Sequence, residues 1–556
     1  MAIMKQVIIE NPILNSPFSE PERHFRFSDE GITDEIVEGR RVSSYFIPIA
    51  RPRKKTRQKS LFDTEWTQDR LEENRLVNQI RQRVAVWRKG GCVGTTPVTS
   101  RLLRYWTDPG REKRLFFCQI EALETAVYLT EVAGRYGDAW IANALLEAND
   151  TSNPGLSRLA FKMATGAGKT VVMAMLIAWH ALNKLANPQD ARFGDTFLVI
   201  TPGITIRDRL RVLLPHDPNN YYRQRDILPD HLREQLGQAG ILITNFHAFQ
   251  LREKMPAGKL TKAILNAGGD SGVFTETPDQ MVRRVCRELG KKRNIMIIND
   301  EAHHCYRRKP DGPSNSPSRA PSNSFSSAPS NSLSNSPSHA PPDDSPDGEA
   351  GKLTAEERKE ARMREEEARI WISGIEAVKA RIGVRAIYDL SATPFFLRGS
   401  GYPEGTLFPW VVSDFSLIDA IESGIVKVPR VPVADNSVTG EQPTYRDLWL
   451  RIRDHLPRKG RKTEEVTGEP KLPVELQAAL HSLYGNYEKF YRLWEADTGA
   501  RAKGITPPVF IVVCNNTNVS FLGNKTYCFI RSFLPGISAL NPFLRWQAQL
   551  SEIEKV

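Results

Sequence analysis

The chain is 556 residues long, enough for roughly three or four domains that each bury a core. Its 40% hydrophobic and 25% charged content is that of a globular protein, and its six cysteines contain no C-x-x-C pair, which excludes a zinc ribbon and a disulfide framework and predicts a reducing, cytoplasmic setting. The net charge of +11 attracts polyanions, of which nucleic acid is the usual one, although many basic proteins bind none.

Residues 1–60 form an N-terminal extension. Met1-Ala-Ile-Met-Lys-Gln leads quickly into polar residues and lacks the pattern of a signal peptide. The extension ends in Arg51-Pro-Arg-Lys-Lys-Thr-Arg-Gln-Lys59, six positive charges in nine residues, which suit either a grip on a phosphate backbone or a solvated linker. Residues 61–115 read as helical, with Arg and Glu mixed among Leu, Val and Trp.

Between 116 and 400 short β-rich runs alternate with helical stretches. The runs are Leu159–Met163, Thr196–Ile200, Gly240–Thr244, Ile295–Ile298 and Val384–Leu390. Such alternation predicts an α/β fold, a parallel sheet covered by helices on both faces, with ligands at the carboxyl ends of the strands. The longest apolar run, Val171–Leu182, is too short to span a bilayer, and no membrane partner is expected. Residues 310–348 are near-repeats of Ser, Pro and Asn that cannot bury enough apolar surface to offset ordering, so a disordered insert is expected there. Thr354-Ala-Glu-Glu357 is a capping box opening a charged helix to about Lys379, most simply a solvated face. Residues 401–505 read as a helical linker, and 506–556 open on an apolar strand, Pro507–Asn516.

Three motifs carry chemistry. Met163-Ala-Thr-Gly-Ala-Gly-Lys-Thr170 lies between a strand and a helix, so Gly166 and Gly168 let the backbone curl its N–H groups toward phosphate oxygens. Thr165 to Lys169 would line the phosphates, Ala167 included; Lys169 would reach the β- and γ-phosphates and the Thr170 hydroxyl would ligate Mg2+. Met163 stands where the general pattern has glycine. Asp300-Glu-Ala-His303 follows an apolar strand; Asp300 would hold the metal and Glu301 would orient and deprotonate water. His303-His304-Cys305 lacks the spacing of a zinc set. Ser391-Ala-Thr393 ends the next strand, with hydroxyls suited to bonding the Asp300/His303 cluster; alone it would be an ordinary strand-ending turn.

With these motifs in order the chain resembles a superfamily 2 helicase of the DEAH-box group, and most closely the motor subunit of type III restriction enzymes. Further likeness lies in Phe116–Glu124, Asn299–Tyr306, Ser391–Gly401, Ser413–Gly424 and Pro507–Asn516. The resemblance implies a RecA-like P-loop NTPase lobe over 116–400, ATP and Mg2+ as cofactors, double-stranded DNA as track, and a DNA-modification methyltransferase subunit as partner. It implies that Gln119 reads the adenine edge, unless it is an exposed helix residue, and that His303, Ser391 and Thr393 couple nucleotide state to lobe position. It also implies that Thr201, Gly203, Thr205, Thr244 and Asn245 touch the DNA backbone, unless they are ordinary strand-to-helix turns.

Such a motor needs a second RecA-like lobe with an arginine finger in a Gln-x-x-Gly-Arg-x-x-Arg segment, which the sequence does not contain. The few tens of residues after Ser520 fall short of the ~100 such a domain needs. The expected second lobe is therefore incomplete, and nuclease activity is not expected from this chain alone. Three functions stand: an ATP-dependent translocase or helicase subunit, a truncated remnant that binds nucleotide without productive work, and an RNA-directed DEAH-type helicase.

Overall fold

The computed structural model describes residues 9, 11–28, 31–49, 68–252, 275–309, 355–397, 400–428, 448, 452, 455, 473–499 and 507–509. The basic segment at 51–59, the insert at 310–348, Thr354 of the capping box and nearly all of the expected second-lobe segment lie outside the described residues. Two compact units divide the chain, Met1–Val428 and Pro429–Val556. In the second, the long helix Val474–Ala496 is the main described element, with Ile452 buried against Leu448 and Leu476.

The first unit is built on a six-stranded, wholly parallel sheet. The short strands β1 (Arg23–Ser28), β2 (Gly31–Glu38), β3 (Ser44–Ile49) and β4 (Gln68–Glu73) precede it, and its own strands are β5 (Arg158–Met163), β6 (Thr196–Thr201), β7 (Gly240–Asn245), β8 (Ile295–Asp300), β9 (Val384–Ser391) and β10 (Val411–Phe415), in the order β10-β5-β9-β8-β6-β7. The fold is RecA-like α/β. Alternate residues point to opposite faces, and both faces are apolar: Phe197 and Val199 enter one core, Leu198 and Ile200 the other. On the first face pack α1 (Arg75–Lys89), α2 (Pro97–Thr107), α3 (Phe117–Val127) and α5 (Lys169–Ala186); α4 (Ala139–Ser152) adds Ile141 and Leu145. Pro278–Val285 and the C-terminal half of Ala355–Ile382 cover the other. α5 is buried on all sides from Val171 to Asn183 because it lies between the sheet and the outer helices.

The five strands expected from the alternating runs all form, but the sheet does not stop at residue 400. β10 pairs with β5 through Ser413↔Phe161 and Phe415↔Met163, placing part of the expected helical linker at the sheet's edge. Nor is 61–115 helical throughout: Gln68–Glu73 pairs antiparallel with Ser44–Ile49. The N-terminal residues wrap the same unit. Leu14 and Asn15 donate backbone N–H groups to Glu422 O, Phe117 N donates to Pro17 O at 2.8 Å, and Arg40 holds Glu121 with both ends of its guanidinium.

None of the described helices is long and apolar enough to cross a membrane.

Candidate nucleotide site

Because all six strands run the same way, the loops after β5, β8, β9, β6 and β7 meet at one edge of the sheet. β5, β9 and β8 are immediate neighbours, so the Gly-rich loop, Ser391 and Asp300 come together although more than two hundred residues separate the first two in sequence.

The Gly-rich loop is shaped by its own glycines. Gly166 and Gly168 take φ of +88° and +87°, a left-handed backbone that a side chain would strain. Gly168 is also the residue from which α5 starts, so the first free N–H groups of that helix face the loop. A Cβ on Gly168 would run into the Gln119 amide, and one on Gly166 would come within 3.2 Å of Val426. Gln119 is only 4% exposed. Its amide nitrogen donates to Ala167 O at 3.0 Å and its oxygen accepts from Phe116 N at 3.0 Å. The side chain thus braces the loop against the start of α3, a use that its residue type alone does not disclose.

The acidic loop faces it. Lys169 Nζ lies 3.0 Å from Glu301 Oε1, a part-exposed pair worth about 1 kcal/mol or less. Glu301 has φ 49° and ψ 50°, left-handed without being glycine. Asp300 beside it is largely buried, and burial together with the neighbouring Glu301 charge pushes its carboxyl up to about 6 against the pull of Lys169. His303 lies with Nδ1 2.9 Å from Ser391 Oγ and 3.5 Å from Glu301 Oε2. Burial and the adjacent His304 push it down to about 4, so it is neutral at pH 7.

Residues 112–321 match the family model of the type III restriction enzyme, res subunit. They form a domain of that family. It is a helicase-like ATPase domain of superfamily 2. No curated protein and no solved structure matches the chain.

The matched res-subunit domain contains Gln119, the whole Gly-rich loop and Asp300–His303, while Ser391 and Thr393 follow it in sequence. Ser391 is buried and its Oγ also accepts from Thr393 N at 3.1 Å, so it links the acidic loop to the turn after β9; Thr393 itself is exposed. On the other side, β6 and β7 place Thr201 opposite Asn245 and Ile200 opposite Thr244. Thr201 is fully buried, its hydroxyl donating to Gly203 O at 2.9 Å, and Asn245 Oδ1 accepts from Ala248 N at 3.2 Å. Those two side chains shape their turns, which leaves Gly203, Thr205 and Thr244 as the accessible members of the group.

The residues present fit a nucleoside triphosphate with a divalent cation. The glycine cradle opens at a helix N-terminus, a lysine ammonium already faces a carboxylate across it, and a hydroxyl and a buried carboxyl follow, Thr170 in the first turn of α5 and Asp300 at the end of β8.

Proposed function

We propose that this chain is an ATP-dependent DNA translocase or helicase subunit of a type III-like restriction endonuclease, a cytoplasmic protein working on double-stranded DNA beside a modification methyltransferase subunit. The observation that carries this is the meeting of Lys169 and Glu301 at 3.0 Å across two loops, inside a stretch matching the res-subunit family.

In this reading the loop N–H groups from Thr165 to Lys169 hold the phosphates, and Lys169 leaves Glu301 for the β- and γ-phosphate oxygens. The exchange is easy because a part-exposed ion pair holds by about 1 kcal/mol or less. Glu301, released, takes the proton of the attacking water. Thr170 and Asp300 would hold Mg2+, which would neutralise charge developing on the phosphate oxygens. His303, neutral, and Ser391 carry the change at Glu301 to the turn at Thr393. Gly203, Thr205 and Thr244 offer backbone and hydroxyl contacts to a DNA strand, with Thr201 and Asn245 setting their turns. Gln119 spends one amide N–H on Ala167 O and would meet the adenine edge with its second N–H and its oxygen, so base binding and loop shape are linked.

The test is steady-state ATP turnover by the full chain with and without double-stranded DNA, single-stranded DNA and RNA. Turnover stimulated by double-stranded DNA supports the proposal. Nucleotide binding without turnover favours the remnant, and stimulation by RNA alone favours the RNA-directed reading.

A further inference from the structure

Beneath the acidic loop lies a buried polar cluster that none of the motifs contains. Arg158, at the start of β5, is fully buried. Its Nε donates to Asp389 Oδ2 at 2.8 Å, one Nη to Asn153 Oδ1 at 2.9 Å and the other to Cys305 O at 2.8 Å. Asp389, 1% exposed, also accepts from Trp410 Nε1 at 2.8 Å and from Asn299 Nδ2 at 2.8 Å. Asn299 Oδ1 accepts from Trp371 Nε1 at 3.1 Å. No nitrogen or oxygen of these three side chains is left without a partner.

The placement is specific. Asn299 directly precedes Asp300 and Cys305 directly follows His304, so both ends of the acidic loop are tied to the same ion pair. Asp389 stands two residues before Ser391, whose Oγ meets His303. Between the tethers sits Glu301 in left-handed backbone, a conformation that persists only where the surroundings over-determine it. A buried ion pair is poor evidence for stability, since apolar side chains of similar volume often replace it without loss. What such a pair supplies is position.

We propose that Arg158 and Asp389 are positioning residues that clamp both ends of the loop carrying Asp300 and Glu301, holding those carboxylates in register with the Gly-rich loop. The inference rests on the ATPase reading above for its functional half only.

The experiment compares the full chain with an Arg158→Met/Asp389→Leu double variant, which leaves no charge unpaired, and with Asn299→Leu, which cuts the upstream tether and also removes the acceptor of Trp371 Nε1. Melting temperature, deuterium exchange across residues 299–306, and ATP binding and turnover are measured on each. The clamp predicts a double variant that still melts cooperatively, at a temperature lowered by the buried partners it leaves unsatisfied, with faster exchange in the loop and kcat lower by about 10²-fold with KM little changed; Asn299→Leu shows the same signature, weaker. Wild-type loop exchange in a folded variant overturns the clamp alone. Faster exchange with unchanged kcat overturns the positioning role. Loss of a cooperative melt in both variants makes the pair a structural element and overturns the proposal too. A wild-type chain that binds no ATP overturns the nucleotide reading instead, and the exchange result then judges the clamp by itself.

Discussion

The two loops that face each other across the site reach their shapes by opposite routes. The Gly-rich loop is left-handed at Gly166 and Gly168, where the absence of a Cβ makes that backbone cheap. The acidic loop is left-handed at Glu301, which has a side chain and is held there by partners far away in sequence. A loop shaped by its own residues is legible locally. A loop shaped by its neighbours is legible only once the sheet has brought Arg158, Asn299 and Asp389 together.

That contrast can be broken at graded cost. The largest effect is expected from Glu301→Gln, which removes the proposed proton acceptor while keeping the side chain's size: turnover falls roughly 10²–10⁴-fold with ATP affinity retained, as single-turnover and binding assays would show. Gly168→Ala tests the self-shaped loop. Its Cβ has to share space with the Gln119 amide at φ +87°, and the chain loses about 1–2 kcal/mol in denaturant unfolding. Wild-type stability there would show that the loop's shape is not set by its glycines.

Smaller effects sharpen the other side. Glu301→Asn is expected to be more stable than Glu301→Gln by about 1 kcal/mol or less, since asparagine tolerates left-handed backbone and both variants lack the charge. Equal stability would mean that the loop's tethers leave no strain to relieve. The smallest effect concerns the footing of α3, the helix whose Gln119 braces the Gly-rich loop. One turn on, burial opposes ionisation of both Glu121 and Glu124. The bidentate Arg40 nevertheless pulls Glu121 down to about 2, whereas Arg88 does not offset burial at Glu124, which is pushed up to about 7. Between the ordinary carboxylate range and pH 7 the folded chain therefore binds a proton at Glu124 more tightly than the unfolded chain does. Stability from that group falls as pH rises through this window. Thermal melts of Glu124→Gln between pH 5 and 8 should lack this slope; a slope unchanged from wild type would remove Glu124 as its source.

The five strand cores and the order of the motifs were legible in the sequence because alternation and Gly-Lys-Thr spacing are local signals. β10 was not, since Val411–Phe415 is a short edge strand whose partner lies about 250 residues earlier and whose flanks read as linker. The N-terminal wrap was equally hidden: backbone bonds from Leu14 and Asn15 to Glu422 leave no trace in residue type. Gln119 was singled out for its amide, but its burial against Ala167 O is a tertiary fact. Arg158 passed unnoticed because a lone arginine at the start of an apolar strand reads as an edge charge, whereas the structure buries it completely.

In the proposed reading the Gly-rich loop and the acidic loop form one ATP site through Lys169. Titration of a fluorescent ATP analogue with Mg2+ into the wild-type chain and into Lys169→Ala tests it most directly. A shared site predicts saturable binding to wild type and a roughly 10–100-fold loss in the variant, the worth of a charged hydrogen bond, with unchanged melting without nucleotide. Equal affinity in the two proteins would contradict it.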